Sequence, residues 1–310
     1  MSRCIITIHG GAGTILRSSM TPEKEAAYRQ ALDEALQAGY SLLEKGRPAL
    51  EAVRAAVVSL EDNILFNAGR GSVFASDGSQ EMDASIMDGK TLMAGAVSAV
   101  KNIRNPVELA YAVMTKTPHV MLMGKGANDL AASVDIKTEP DDYFYSDFRH
   151  DQLKKAQEEE VVGLDHSIRV DDKKFGTVGA AACDFSGNIA AATSTGGMTN
   201  KQWGRIGDSA IIGAGTYANN HTCAISCTGH GEMFIRAVAA YDVSCLMEYK
   251  HLSLHEAMEV VVYDKLMRIH GEGGMVGVDA YGNAAMVFNS EGMYRGVRDN
   301  EGRKEIAIYK

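Results

Sequence analysis

Short apolar or alternating runs and helical stripes follow one another along most of the chain, and between about residues 137 and 174 that order stops. Residues 4–8 read as a strand, and His9-Gly10-Gly11-Ala12-Gly13 as a turn that no regular element absorbs. Thr21-Pro22-Glu23 combines an N-cap, a first-turn proline and an early acid, and Leu32, Ala35, Leu36, Gly39 and Leu42 continue at helical spacing. A second helix after Pro48 puts Leu50, Val53, Val57 and Leu60 on one face. Residues 66–71 form a glycine-interrupted loop, and residues 81–87 and 92–100 read as strands paired around Asp88-Gly89. Pro106 opens another helix, and residues 119–123 make a further strand.

From about 137 to 174 the texture is acids, lysines and scattered aromatics, with a short helical possibility at 152–160, and this is the natural linker. Beyond Thr177 the pattern resumes. A strand runs to Cys183, a turn at Ser186-Gly187-Asn188 leads into a strand at 189–193, and another strand spans 222–227. Phe234, Val238, Tyr241 and Cys245 then share a helical stripe, and Ser253 with Glu256 forms a capping box for a helix reaching about Ile269. Residues 275–278 and 284–288, joined through Tyr281-Gly282-Asn283, make a closing hairpin. Paired helices and hairpin strands on both sides of the linker disfavour an alternating βαβ fold. They predict an α+β domain with helices layered on antiparallel sheets. Neither half is self-sufficient, so residues 1–310 are read as one domain.

Composition narrows the function. A chain of 310 residues with 45% hydrophobic and 23% charged residues has the balance of a soluble globular protein. A net charge of -9 argues against nucleic acid or an anionic membrane as partner, since both need clustered Lys and Arg. No apolar run approaches a membrane span, and the run before His9 is too short for a signal-peptide core. The five cysteines form no CxxC pair and read as buried thiols of a reducing compartment, so a cytoplasmic location is expected.

The charged linker ends at Gly176-Thr177. A threonine hydroxyl becomes a nucleophile only when a base removes its proton, and the freed α-amine of the same residue can be that base. Such an amine requires cleavage of the Gly176–Thr177 bond, and a residue without Cβ suits a distorted backbone there. An isolated Gly-Thr pair merely opens a strand, so the case rests on the residues downstream of it. Residues 193–197 (TSTGG), 204–209 (GRIGDS) and 228–232 (TGHGE) each embed polar groups among glycines, as an oxyanion site or a tight amino-acid pocket requires. Arg205 offers a planar fork for a carboxylate, and Asp208 can receive an ammonium.

Residues 175–180 (FGTVGA), Gly187-Asn188, 191–200 (AATSTGGMTN), 204–209, Gly213-Ala214-Gly215 and 228–232 together resemble plant-type L-asparaginases with isoaspartyl peptidase activity. Residues 9–13, 65–69 and Met82-Asp83-Ala84 extend the resemblance through the first half. It implies an N-terminal-nucleophile hydrolase: an αββα four-layer sandwich, self-cleavage into 1–176 and 177–310, and an (αβ)₂ assembly. By position, Thr177 would be nucleophile and general base, with Thr195 beside it and Thr228 and Gly229 as oxyanion donors. Arg205 would clamp the substrate carboxylate, Asp208 and Gly231 would meet its amine end, and Asn67 would support the site. The family also holds a sodium ion on main-chain carbonyls, here those of Leu60, Glu61, Asn63, Phe66, Ala68 and Arg70, and no cofactor for catalysis. Asparagine or isoaspartyl dipeptides are the expected small-molecule substrates.

Other readings stay open at this point. Glycosylasparaginases share the nucleophile logic, but that branch is typically exported. Residues 211–218 fit a strand plus GxGxxA, a nucleotide-binding pattern that needs a helix opening at the last glycine. His251, His255 and Glu256 lack the HExxH order of a zinc site. A binding-only relative would keep the fold without cutting its own chain.

Overall fold

The computed structural model describes residues 3–159 and 174–310. In chain order, the first half runs β1 (Ile5–Gly13), α1 (Pro22–Glu44), α2 (Ala49–Glu61), β2 (Met82–Asp88), β3 (Ala94–Val100), α3 (Pro106–Lys116), β4 (Met121–Met123), α4 (Gly124–Ser133), α5 (Asp141–Phe144) and α6 (Asp147–Glu158). The second half runs β5 (Lys174–Phe175), β6 (Thr177–Cys183), β7 (Ile189–Thr195), β8 (Thr216–Ala218), β9 (Cys223–Gly229), α7 (Gly231–Ala237), α8 (Ala239–Lys250), α9 (Leu254–Glu259), β10 (Gly273–Asp279), β11 (Ala284–Phe288), β12 (Gly292–Asp299) and β13 (Lys304–Tyr309).

The strands form two sheets. The larger is ordered β13-β12-β1-β6-β7-β2-β3-β4, with β5 pairing β1, and the smaller β11-β10-β9-β8. Period-two alternation in β6 and β7 explains how the sheets stack. Ala180, Ala182, Ala190 and Ala192 face a core with Leu36, Val53 and Val57 from α1 and α2. Ala181, Cys183, Ile189 and Ala191 face Ala224 and Val278 of the smaller sheet. Beyond that sheet, Ile225, Cys227 and Met275 pack against Phe234, Val243, Met258 and Val262 of the C-terminal helices. Helices, two sheets and helices are thus four layers, the αββα sandwich of the α+β class.

Several expected boundaries move. The His9–Gly13 segment is strand, with a register shift between His9 and Gly11 against β12. The predicted linker is ordered to residue 159: Phe144, Arg149 and Leu153 are buried, anchoring α5 and α6 on the domain. The rest of that linker, 160–173, lies outside the described residues. The stripe from Phe234 to Cys245 is two helices, because Val238 takes φ 49° and ψ 47° between them. This turns Val238 and Tyr241 outward and Ala239, Ala240 and Val243 inward. The helix after Ser253 has the expected capping box but passes into a π-helical stretch at Val260–Leu266. The 275–288 hairpin does not close the chain, since β12 and β13 return to the edge of the larger sheet. Arg295, Arg298, Lys304 and Glu305 interrupt their apolar alternation in sequence.

Candidate active site

Thr177 begins β6 and pairs in register with Thr195 at the end of β7. Its Oγ1 lies 3.3 Å from Thr195 Oγ1, and the Thr195 hydroxyl donates to the Gly176 carbonyl at 2.9 Å. Gly197 N–H donates to the same Thr195 oxygen at 3.0 Å. A hydroxyl has one proton and two lone pairs. Thr195 therefore receives Thr177 and Gly197 while polarising the carbonyl that precedes Thr177.

Asn67 fixes this arrangement from the loop after α2. Its Nδ2 donates to Gly197 O at 2.7 Å, its Oδ1 accepts Val73 N–H at 2.9 Å, and its carbonyl accepts Gly196 N–H at 3.0 Å. Gly176 is not among the glycines with positive φ. A Cβ there would meet Asn67 Cβ at 2.3 Å, so close approach, rather than the distorted backbone expected from the sequence, requires the glycine. Lys201, which sequence reasoning missed, supports the same loop: its buried Nζ donates to Glu81 O at 2.8 Å and Gly196 O at 3.1 Å. Burial lowers its pKa.

Arg205 and Asp208 reach the site from the segment after Trp203. Arg205 is engaged by Glu232, with Nε and Nη2 each 2.8 Å from a carboxylate oxygen, a bidentate pair that sequence reasoning did not assign. Asp208 is buried, and its Oδ2 has no hydrogen-bond partner among the described residues. Burial raises its carboxyl to about 7, against the lowering effect of Arg205. Gly231 lies between the two: a Cβ there would fall 2.9 Å from both Arg205 Nη2 and Asp208 Oδ1. Thr177, Thr195, Gly197, Met198, Arg205, Asp208 and Gly229 line one cavity of about 20 Å³, and Gly176 lines it too. That volume holds about one water, so an amino acid does not fit the cavity as it stands. Thr228 follows on β9, fully buried, with its Oγ1 accepting Ala12 N–H at 3.3 Å, and Gly229 takes φ 147°.

Below Thr177 lies a polar group to which the sequence reading gave no role. His9 Nδ1 is 3.0 Å from Thr177 O, and its Nε2 is 2.8 Å from Ser226 Oγ. Complete burial pushes the imidazole down to about 3, so the ring is neutral near pH 7. The one available signal was a polar residue at an inward position of an apolar strand.

The carbonyls proposed for a cation lie in a tight coil. Gly69 takes φ 51°, with Glu61 O 2.5 Å from where its Cβ would stand, and a Cβ on Gly71 would meet Phe66 O at 2.0 Å. The Asn63, Phe66 and Ala68 carbonyls each accept one N–H and keep a second lone pair, whereas the Leu60 carbonyl takes the N–H groups of both Asp62 and Asn63. Carbonyl oxygen is the donor type that a hard cation takes. Residues 213–218 turn directly into β8 with no helix at the last glycine, which removes the nucleotide-binding reading. Among the described residues no three His, Cys, Asp or Glu side chains are grouped to hold a metal. None of the described helices is long and apolar enough to cross a membrane.

Comparison with known proteins decides the family, because the profile described as Asparaginase matches residues 2–308. The chain belongs to the asparaginase family. Family members similar to it include the isoaspartyl peptidase of Escherichia coli K12, 51% identical over 95% of this chain and 92% of that protein. The isoaspartyl peptidase of Salmonella typhimurium LT2 is 52% identical over 95% of each. The isoaspartyl peptidase/L-asparaginase of Xenopus laevis is 41% identical over 98% of this chain and 95% of that protein. As a family member the chain is a hydrolase of the N-terminal-nucleophile type, in agreement with its four layers.

Proposed function

We propose that this hydrolase cuts its own chain before Thr177 and then hydrolyses the side-chain amide of L-asparagine and the isopeptide bond of β-aspartyl dipeptides. The observation that carries this reading is the Thr177–Thr195–Gly176 unit, in which a hydroxyl nucleophile and a polarised carbonyl share one threonine. Thr177 Oγ attacks the Gly176 carbonyl carbon, the C–N bond breaks as nitrogen takes a proton, and water hydrolyses the resulting ester. The products are a Gly176 carboxylate and a free Thr177 amine. Fragments 1–176 and 177–310 remain one fold, because β1 and β6 are neighbours in one sheet.

In the second reaction the amine takes the Thr177 hydroxyl proton and Oγ attacks the substrate's side-chain carbonyl. Ammonia or an amino acid leaves, and water releases aspartate. Arg205 receives the α-carboxylate, exchanging part of its contact with Glu232. Asp208 and Gly231 receive the α-amine, while Thr228 and Gly229 stabilise the oxyanion after residues before Thr177 have moved away. An α-amine has an unperturbed pKa of about 7.7–8.0, so activity rises with pH as it loses its proton. The same reading includes an (αβ)₂ assembly and a sodium ion on the carbonyls of residues 60–70. It also includes a cytoplasmic location, supported by five free cysteines.

The test is a denaturing gel and an assay on the same sample. The parent resolves into two fragments and releases aspartate from both substrates, whereas Thr177→Ala stays whole and inactive. An active Thr177→Ala protein, or cleavage of that variant at the same bond, overturns the reading.

A further inference from the structure

Resting on the nucleophile reading above, we propose that His9 is a positioning residue that holds Thr177 by its main-chain carbonyl once the Gly176–Thr177 bond is gone, and that a line of buried hydroxyls fixes the ring for that task. The β1–β6 ladder stops at His9–Gly179, and β1 is next engaged at Ala12 by Phe175 of β5. Thr177 falls in the gap. The His9 side chain meets its carbonyl there, with Nδ1 at 3.0 Å.

The proton positions are set by the donors and acceptors present. A carbonyl only accepts, so Nδ1 carries the proton of the neutral ring and Nε2 is an acceptor. Ser226 must then donate to Nε2 across 2.8 Å, which leaves Ser226 Oγ to accept Thr193 Oγ1 at 2.6 Å. Thr193 in turn accepts Thr216 Oγ1 at 2.5 Å; Ser85, whose one proton goes to the Ser209 carbonyl at 2.6 Å, lies 2.8 Å from Thr216 Oγ1 and closes the far end. The three hydroxyl residues of the line, Thr216, Thr193 and Ser226, are fully buried, and they come from three strands in both sheets. The line runs one way, Thr216 to Thr193 to Ser226 to His9 to the Thr177 carbonyl. It selects one tautomer and one ring orientation. Gly179 leaves room for it, since a Cβ there would stand 1.9 Å from Ser226 Oγ and 2.6 Å from His9 Nε2.

Before cleavage Thr177 is tethered on both sides, and afterwards only on its carboxyl side. Loss of the His9 contact should therefore slow substrate turnover more than self-cleavage, which separates positioning from a general structural role. The amide nitrogen of Asn can stand where Nδ1 stands, whereas that of Gln reaches toward Ser226. His9→Gln should mature to at least half the parent's cleaved fraction, keep KM within about threefold and lose about tenfold or more in kcat. His9→Asn should recover most of that loss. Ser226→Ala, which leaves the ring without its fixing partner, should lose several-fold in kcat with the same split. Each is assayed as cleaved enzyme, with melting temperature and fragment ratio on the same sample. Equal losses in His9→Gln and His9→Asn, or a Gln variant with the parent's kcat, would overturn the proposal. So would cleavage and turnover falling together in all three. An uncleaved parent or an active Thr177→Ala protein would instead overturn the nucleophile reading, whatever His9 does.

Discussion

The two ends of the sandwich use the same ingredients, buried aspartates in glycine turns, to opposite effect. At the end away from Thr177, the turns after β6, β10 and β12 share the pattern Asp-x-x-Gly, with Gly187, Gly282 and Gly302 at φ 75°, 79° and 101°. Asp184 Oδ1 accepts Ser186 and Asn188 N–H, Asp279 Oδ1 accepts Tyr281 and Asn283 N–H, and Asp299 Oδ1 accepts Glu301 and Arg303 N–H, all within 3.1 Å. These three carboxylates are 4–6% exposed, and Asp208 at the other end is 4% exposed. Exposure is equal, yet Asp208 lies deeper, keeps an oxygen without a partner among the described residues and is driven toward its neutral form by burial, whereas Asp299 is held below its ordinary value with help from Arg3. A buried acid satisfied by its own turn holds a fold together. One left open beside Arg205 and Gly231 is, in the function proposed above, the acid that meets the substrate ammonium.

The sharpest way to break this contrast is Asp208→Asn. Without the carboxylate, a substrate ammonium loses a charge-assisted bond worth about 1.5–3 kcal/mol, so kcat/KM on asparagine should fall by roughly one to two decades. Stability should move the other way. The folded carboxyl titrates at about 7, whereas an unfolded Asp titrates near 3.9. Between those values the unfolded state is the more ionised, so the parent loses stability as pH rises from about 4 to about 7, and the loss is complete above that. The asparagine variant lacks this term. Its melting temperature should match the parent's near pH 4 and exceed it at pH 8. A parent that is the more stable at pH 8 would mean that Arg205 holds Asp208 ionised, and the contrast between the ends would fail.

Asp279→Ala asks the reverse question. It removes the acceptor of two main-chain N–H groups and of Asn283 Nδ2 at 2.7 Å, at a cost of about 1–3 kcal/mol. The melting temperature should drop, while kcat and KM, measured well below it, stay within about twofold of the parent. A selective loss of kcat at unchanged melting temperature would show that the far end is coupled to the chemistry.

Legibility in the sequence followed the same division. The Asp184 and Asp279 turns were readable because Gly-Asn pairs interrupt alternating strands, and the N–H groups that close each turn lie within four residues of the aspartate. Thr177, Arg205, Asp208 and Gly231 were readable because each stands among glycines that no regular element needs. The contacts that join His9, Thr193, Thr216 and Ser226 were not, since serine and threonine on strands are common, His9 read as part of a turn, and partners lie up to 217 residues away in sequence. The Arg205–Glu232 pair was hidden for the same reason: 27 residues separate its members, and only the return of β9 to the site brings them together. The break at Val238 carried no signal either, because valine is among the residues least suited to that backbone conformation.

Val238 gives the smallest test. It joins α7, which carries Gly231 and Glu232, to α8, and its φ of 49° is strained for a β-branched side chain. The left-handed conformation costs an L-residue about 1–2 kcal/mol, and glycine adopts it without that penalty. Glycine also raises the entropy of the unfolded chain, by the equivalent of roughly 0.4–1 kcal/mol. The Val238 side chain is 46% exposed, so little packing is lost. Val238→Gly should therefore raise stability slightly, by about 0.5–1 kcal/mol in denaturant unfolding. If the strain merely closes one helix and opens the next, kcat/KM should remain within about twofold of the parent. A variant that is more stable but loses several-fold in kcat/KM would place the strain in the service of the active-site end, holding α7 so that Glu232 keeps Arg205 in position. A variant destabilised by more than about 1 kcal/mol would show that the valine's contact over Gly213 outweighs its backbone strain.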